Sequence, residues 1–277
     1  MALPDTTGRG PDIVARLRAA GCVFAEDEAR LLIAEARTAA DLAVMVDRRV
    51  AGLPLEQVLG WAEFCGRRVA VEPGVFVPRR RSEFLVSQAA SLARRAAPAC
   101  PVVVVDLCCG SGAVGAAVAA ALGGAELHAA DIDPAAVRNA RRNIGAAGGQ
   151  VYQGDLYQPL PAALRGRVDV LVVNAPYVPT GEVALLPAEA RDYEPNVALD
   201  GGGDGLGVVR RVIAGAPPWL AHGGSLLVET SDRQAAQARQ AVTDAGLIPQ
   251  VTRSAGLGST VVTGTRQPGR GTAAASH

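Results

Sequence analysis

A chain of 277 residues has room for one large domain, or for a main domain with a smaller companion. Its 49% apolar content excludes disorder as the default state, and with aromatics at only 4% the core must be filled by Ala, Val, Leu and Gly, which suits helices packed on a parallel sheet. The 27 basic side chains balance 27 acidic ones, so there is no global attraction to a polyanion; every basic one is arginine, which excludes Schiff-base catalysis and a Walker-type lysine.

Residues 1–10 are polar and Gly-rich, and disorder is expected there. From Pro11 to about Gly60 the apolar spacing is helical: Ile13, Val14 and Leu17 share a face, as do Ala29, Leu32, Ile33 and Ala36, then Leu42, Val46 and Val50. Pro54 fits the first turn of a short helix over Leu55–Leu59. This segment holds no cluster of titratable groups and reads as a packing or docking module. The pattern then changes to short strands, Trp61–Val71 and Val75–Val77, around the turn Glu72-Pro73-Gly74. Arg79-Arg80-Arg81 follows Pro78 at the joint between modules, where one arginine could face a ligand instead of solvent. Ser82 is a plausible cap for the helix that runs to about Ala96.

Beyond Pro101 strands and helices alternate. Strands are expected at Val102–Val105, Glu126–Ala130, Val151–Gln153, Val168–Val173 and Ser225–Glu229, and helices at Gly112–Leu122, Pro134–Ala146, Gly205–Ala216 and Asp232–Ala245. A long loop spans 178–203, and a hairpin, Ile248–Thr252 with Thr260–Thr263, closes the fold before a tail expected to be disordered. The spacing implies an α/β, doubly wound parallel sheet. The cysteines, Cys22, Cys65, Cys100, Cys108 and Cys109, show no metal-ligand spacing and are odd in number, so a disulfide framework is not expected; Cys108 and Cys109 read as small buried hydrophobes. No basic-then-apolar leader and no apolar run of membrane-spanning length is present, which leads to the expectation of a soluble, cytoplasmic protein without membrane contact.

Two stretches carry chemistry. In the first, an unbroken apolar strand runs into Asn174-Ala175-Pro176-Tyr177. Pro176 lacks an N–H and has a fixed φ, so it stiffens the turn. The Asn174 side-chain oxygen and the Ala175 carbonyl become two adjacent acceptors, suited to an NH2 group, and Tyr177 supplies an aromatic wall. The plain alternative is a strand followed by an ordinary proline turn. In the second, Asp106-Leu107-Cys108-Cys109-Gly110-Ser111-Gly112 joins a strand to a helix through glycines that let a ligand approach the backbone. Gly110, Gly112 and Gly115 also satisfy the dinucleotide fingerprint, so a nicotinamide-dependent oxidoreductase stays open on spacing alone. Asp106, Asp131 and Asp155 fall at the ends of successive strands and would rim one crevice, with Asp131 placed for ribose hydroxyls. A carboxylate rim suits a cationic ligand without phosphates, such as S-adenosyl-L-methionine. Of the histidines, His128 falls in a strand and reads as a packed residue; His222 and His277 belong to no motif.

Asp106-Leu-Cys-Cys-Gly-Ser-Gly, Asp131-Ile-Asp-Pro, Asp155-Leu and Asn174-Ala-Pro-Tyr together resemble the motifs of class I methyltransferases acting on nitrogen, and more narrowly the HemK/PrmC family of protein-(glutamine) methyltransferases that modify peptide chain release factors. Pro54–Gly60, Phe76-Val77-Pro78-Arg79, Glu83, Tyr193-Glu194-Pro195 and Gly201–Gly207 extend the resemblance from roughly Pro11 to Arg266. It implies a helical substrate-docking domain over 1–60, a β-hairpin linker over 61–78, a seven-stranded Rossmann-like methyltransferase domain over 79–266 and a tail over 267–277. It implies that Asn174, Ala175, Pro176 and Tyr177 handle the acceptor. Asp106, Cys108, Gly110, Ser111, Gly112, Asp131, Ile132, Asp155, Leu156 and Asn174 would hold S-adenosyl-L-methionine, while Arg79, Glu83, Tyr177 and Glu194 would meet the substrate. No metal is required. The sequence departs from the family at Ala175, where the family has proline, and in the segment after Pro78, Arg79-Arg80-Arg81-Ser82. An unidentified small-molecule or nucleobase amine is therefore an alternative acceptor to a release factor, and a non-catalytic cofactor-binding protein is a further alternative. Stable nucleic-acid binding is not expected, and the protein is expected to be a monomer.

Overall fold

The computed structural model describes residues 10–96, 101–145 and 148–268. The disorder expected at both ends falls for the most part outside these residues, as do Cys100 and His277.

Four helices open the chain: α1 (Gly10–Ala19), α2 (Ala25–Glu35), α3 (Ala39–Val50) and α4 (Leu55–Leu59). Thr38 caps α3 by accepting the Asp41 N–H at 3.0 Å. Leu17, Leu32, Leu42, Val46 and Val58 form their shared core. Within it lies an ion pair that helical periodicity did not disclose. Arg49 donates through Nε to Glu28 Oε2 at 2.6 Å and through Nη2 to Oε1 at 3.2 Å, with both side chains about nine-tenths buried.

A hairpin follows, β1 (Trp61–Phe64) with β2 (Arg67–Ala70), Trp61 facing Ala70 and Phe64 facing Arg67. Its turn is Cys65-Gly66, not Glu72-Pro73-Gly74 as the sequence suggested; both residues have positive φ, 50° and 68°, which matches the twist of a two-residue hairpin turn. Val75–Val77 is likewise not a strand. Side chains satisfy its backbone instead: Gln57 donates to the Val75 carbonyl at 3.0 Å and Glu194 accepts the Val77 N–H at 3.2 Å. Helix α5 (Glu83–Ala96) is preceded by a 3-10 turn at Arg80–Ser82, so Ser82 lies inside a turn and does not cap the helix.

The remaining strands, β3 (Val103–Leu107), β4 (Glu126–Asp131), β5 (Gln150–Gln153), β6 (Val168–Val173), β7 (Leu220–Thr230), β8 (Ile248–Ser254) and β9 (Ser259–Thr265), form one sheet in the order β5-β4-β3-β6-β7-β9-β8. The first five are parallel, and β9 runs antiparallel to both β7 and β8. Helices α6 (Ala113–Ala121), α7 (Pro134–Gly145), α9 (Gly207–Gly215) and α10 (Ala235–Asp244) cover the faces with α5. The order of connection reverses between β3 and β6. A crevice opens there at the strands' carboxyl ends, and both chemistry-bearing stretches of the sequence end at that point.

The stretch read as a long loop contains a 3-10 turn at Thr180–Leu185, helix α8 (Ala188–Tyr193) and a second 3-10 turn at Asn196–Ala198. Pro179, Pro187 and Pro195 immediately precede the three, each with φ between −52° and −67°, the value a helical start needs. Helix α8 is tied to the helical module: Glu189 pairs with Arg49 Nη1 at 2.7 Å, and the Tyr193 hydroxyl donates to the Ala51 carbonyl at 2.6 Å. Among the described residues no helix is long and apolar enough to cross a membrane.

Arg49 is thus the one cation serving both Glu28 and Glu189. Removing a single partner from a buried pair leaves the other charge without compensation, which costs about 3–5 kcal/mol. Arg49→Leu is expected to lower stability by that amount in urea denaturation; an unchanged midpoint would show that the pair is not structurally required.

Candidate active site

Strand β6 brings Asn174 to the crevice. Val170, Leu171, Val172 and Val173 are buried on both faces, so the chain leaves the sheet at a fixed height and direction. After Tyr177 it is held from outside. Gln234 donates to the Tyr177 carbonyl at 2.9 Å, Val178 N–H donates to the Leu199 carbonyl at 3.1 Å, and Gly201 N–H donates to the Val178 carbonyl at 2.8 Å. Gly205, at φ +76°, packs so closely that a Cβ there would lie 2.3 Å from the Tyr177 oxygen. Ala175 is 2% exposed and supplies a backbone carbonyl beside the Asn174 side chain. Among the described residues no donor is paired with that carbonyl or with Asn174 Oδ1; the Asn174 amide nitrogen donates to Ser82 Oγ at 3.3 Å.

Asn174, Ala175, Pro176 and Tyr177 line a cavity of about 460 Å3, a size that encloses a small ligand, together with Arg79, Arg81, Cys108, Gly110, Asp131, Ile132, Asp155 and Leu156. A smaller recess of about 30 Å3 adjoins it, lined by Asp106, Ser111 and Asn174 among others. On this side the glycine turn is built by close packing. Gly110, at φ +54°, donates its N–H to Asp131 Oδ2 at 2.8 Å, while Asp133 N–H donates to Asp131 Oδ1 at 2.9 Å. A Cβ on Gly115 would come 2.9 Å from Asp106, whose Oδ2 accepts the Gly115 N–H at 2.8 Å. Burial, with the Asp131 charge nearby, pushes the Asp106 carboxyl up to about 7 despite that hydrogen bond. Burial likewise raises Asp131. Two neighbouring carboxyls raised in this way, beside apolar Ile132 and Leu156, suit a cationic group carrying a flat ring.

Several sequence-predicted residues have other partners. Gly112 sits behind the turn at φ +78°, where a Cβ would meet Ile144 at 2.9 Å; its role is to let α6 pack. Asp155 faces the cavity but is paired with Arg211 Nη2 at 2.5 Å. Glu83 lies outside the cavity lining, because its carboxylate accepts the Cys65 N–H at 2.9 Å and fixes the hairpin turn. Glu194 also makes no surface: its side chain is 0% exposed and holds Arg79 by two contacts of 2.6 Å, with Arg79 over the Phe76 ring. His128 is packed in β4, hydrogen-bonded to Tyr152 and Glu126. Sequence reasoning gave no role to Phe76, Arg211 or Glu229, and gave Ser82 only that of a helix cap. Arg81, from the arginine run, joins the Tyr177 hydroxyl to Glu229 Oε1, the latter at 3.2 Å. Phe76 lay within a recognised segment, whereas Glu229 ends a distant strand with nothing local to mark it.

A parallel sheet reversed at β3/β6, an antiparallel final hairpin, a glycine turn and an acidic rim define a Rossmann-like methyltransferase. A solved methyltransferase from Pyrococcus furiosus agrees in fold, with a TM-score of 0.53 over 73% of this chain and 90% of that one at 15% identity. The methyltransferase small domain model matches residues 68–190. A release factor glutamine methyltransferase from Geobacter sulfurreducens is 39% identical over 69% of this chain, which spans 65% of that protein's length. Another, from Bradyrhizobium diazoefficiens, is 33% identical over 85% of this chain and 86% of its own, so the likeness includes the helical module. A 4-amino-L-phenylalanine/4-methylamino-L-phenylalanine methyltransferase from Streptomyces pristinaespiralis is 37% identical over 69% of this chain and 65% of its own. The chain belongs to the release factor glutamine methyltransferase family.

The raised Asp106 gives a pH test. In the folded protein it holds a proton up to about pH 7, whereas the unfolded chain releases it near 4. The folded state therefore binds more protons in that window, and this contribution to stability is complete below pH 4 and is lost as pH rises toward 7, at most ~1.4 kcal/mol per pH unit. Asp106→Asn is expected to remove this slope in urea midpoints measured from pH 4 to 8; a slope unchanged by the substitution would contradict the assignment.

Proposed function

We propose that this protein transfers a methyl group from S-adenosyl-L-methionine to the side-chain amide nitrogen of a glutamine in a peptide chain release factor. The observation carrying this reading is the corner after β6. There two acceptors, Asn174 Oδ1 and the Ala175 carbonyl, have no donor among the described residues, and they line the same cavity as the acidic rim. The residues present fit the cofactor. Asp131 and the Gly110 turn would hold the ribose, Ile132 and Leu156 the adenine, and Asp106 would lose its excess of uncompensated burial beside a cation. When bound, the cofactor supplies an electrophilic methyl on a sulfonium.

An amide nitrogen is a poor nucleophile because its lone pair is delocalised into the carbonyl. Asn174 Oδ1 and the Ala175 carbonyl would accept its two N–H bonds, aiming the lone pair and favouring the pyramidal geometry in which positive charge develops. Such positioning contributes up to roughly 7–11 kcal/mol in well-oriented systems. Tyr177, held by Arg81, would close the slot against water. The proton leaves the nitrogen after transfer, so no strong base is needed. The helical module would dock the protein substrate, and the reaction would run in the cytoplasm.

A second reading keeps the chemistry and takes a small aromatic amine. It is favoured by Ala175 in place of proline, by the apolar wall of Phe76, Leu186, Val197 and Leu199, and by the likeness to the Streptomyces enzyme. Mass spectrometry after incubation with labelled cofactor and either a release factor or 4-amino-L-phenylalanine decides between them. Label on a glutamine of the factor is expected; label on the amine alone would transfer the function to the second reading. In both cases Asn174→Ala is expected to lower turnover at saturating cofactor about 100-fold or more, beyond any change in cofactor affinity measured by calorimetry. Retained turnover would remove the two-acceptor corner from the mechanism.

A further inference from the structure

The Asn174 carboxamide has two ends of nearly equal shape, and only one of them suits an acceptor NH2. With its oxygen in the cavity it accepts an N–H; flipped, it presents a second NH2, donor against donor. Something must set the choice. Ser82, 1% exposed, receives the Asn174 amide nitrogen at 3.3 Å. It stands in the turn between the hairpin and α5, one residue after Arg81. Beneath it is Glu229 near the end of β7, next to Val228, which pairs with Val173 of β6. The Glu229 side chain is 2% exposed; its Oε1 takes the Arg81 guanidinium at 3.2 Å, while Oε2 is buried with no hydrogen-bond partner among the described residues.

A hydroxyl has one proton to give and two lone pairs. A buried carboxylate oxygen lacking a donor is costly and draws the nearest available proton. Burial raises the Glu229 carboxyl above its ordinary value, and the neighbouring Ser82 hydroxyl and Arg81 guanidinium oppose that rise. A Ser82 hydroxyl that gives its proton to Glu229 can only accept from Asn174, with the carboxamide nitrogen toward Ser82, as in the structure, and the oxygen facing away. We propose that the Ser82 hydroxyl gives its proton to the unpartnered Glu229 carboxylate oxygen and, so oriented, is a positioning residue that locks the Asn174 carboxamide with Oδ1 toward the acceptor nitrogen. The inference rests on the N-methylation reading above and specifies how that site distinguishes a donor from an acceptor.

The test is steady-state kinetics of the full chain, with cofactor and the acceptor identified by mass spectrometry, for wild type and three variants. Ser82→Ala removes the acceptor, Ser82→Cys keeps the size with a weak acceptor, and Ser82→Thr keeps the hydroxyl. Ser82→Ala and Ser82→Cys are expected to lower kcat about tenfold, the worth of one oriented hydrogen bond, with the cofactor KM and melting temperature close to wild type. Ser82→Thr is expected to restore kcat. Wild-type kcat in Ser82→Cys, or a Thr variant as slow as the Cys variant, overturns the inference while leaving the function intact. Should Ser82→Ala fail to fold, the Cys and Thr pair carries the same comparison. No turnover by the wild type on any amide or amine overturns the functional reading, and this inference with it.

Discussion

The site depends on where β6 stops. A strand buried on both faces cannot slide or tilt without moving the sheet, so the residue that follows it emerges at a determined place. Asn174 is that residue, and Pro176 two positions on prevents the backbone from relaxing. Ala175 between them has no ring to stiffen the chain. Packing supplies a substitute: Ala175 is buried, the Tyr177 carbonyl is tied by Gln234, and Gly205 leaves no room behind that carbonyl. The corner is stiff because its surroundings are full, which is a different cause from a proline ring and gives the same two acceptors.

The opposite wall works by electrostatics. Asp106 and Asp131 lie at adjacent strand ends, and burial raises both. Two carboxyls so placed repel each other and favour a ligand that brings positive charge. The arginines around the cavity do not offset this, because each has a carboxylate of its own: Arg79 has Glu194, Arg81 has Glu229 and Arg211 has Asp155. The same economy of pairing ties the helical module to α8, since Arg49 joins Glu28 of one to Glu189 of the other.

Much of this was legible in the sequence. Strand β6 was read to the residue because an unbroken β-branched run ending in Asn-x-Pro has few other readings, and the glycine turn was placed because positive-φ positions demand glycine. Three things were not legible. The hairpin turned at Cys65-Gly66 because a left-handed non-glycine residue leaves no compositional mark, while Pro73-Gly74 looked like a better turn. Short helical turns in 180–198 are too brief for a period to show, and the stretch read as a loop. The third failure concerned roles. Glu83 and Glu194 were read as substrate contacts, but a carboxylate's partner is a matter of tertiary packing, and theirs proved to be the Cys65 N–H and Arg79. Glu229 escaped notice for the same reason in reverse.

The account's central claim is a pair of acceptors aimed at one nitrogen. A crystal structure of the protein with S-adenosylhomocysteine and the acceptor side chain tests it most directly. The account predicts the acceptor nitrogen within hydrogen-bond reach, about 3 Å, of both Asn174 Oδ1 and the Ala175 carbonyl, with its free face toward the cofactor sulfur. An acceptor nitrogen bound elsewhere in the cavity, or an Asn174 carboxamide turned with its nitrogen toward the ligand, would contradict it.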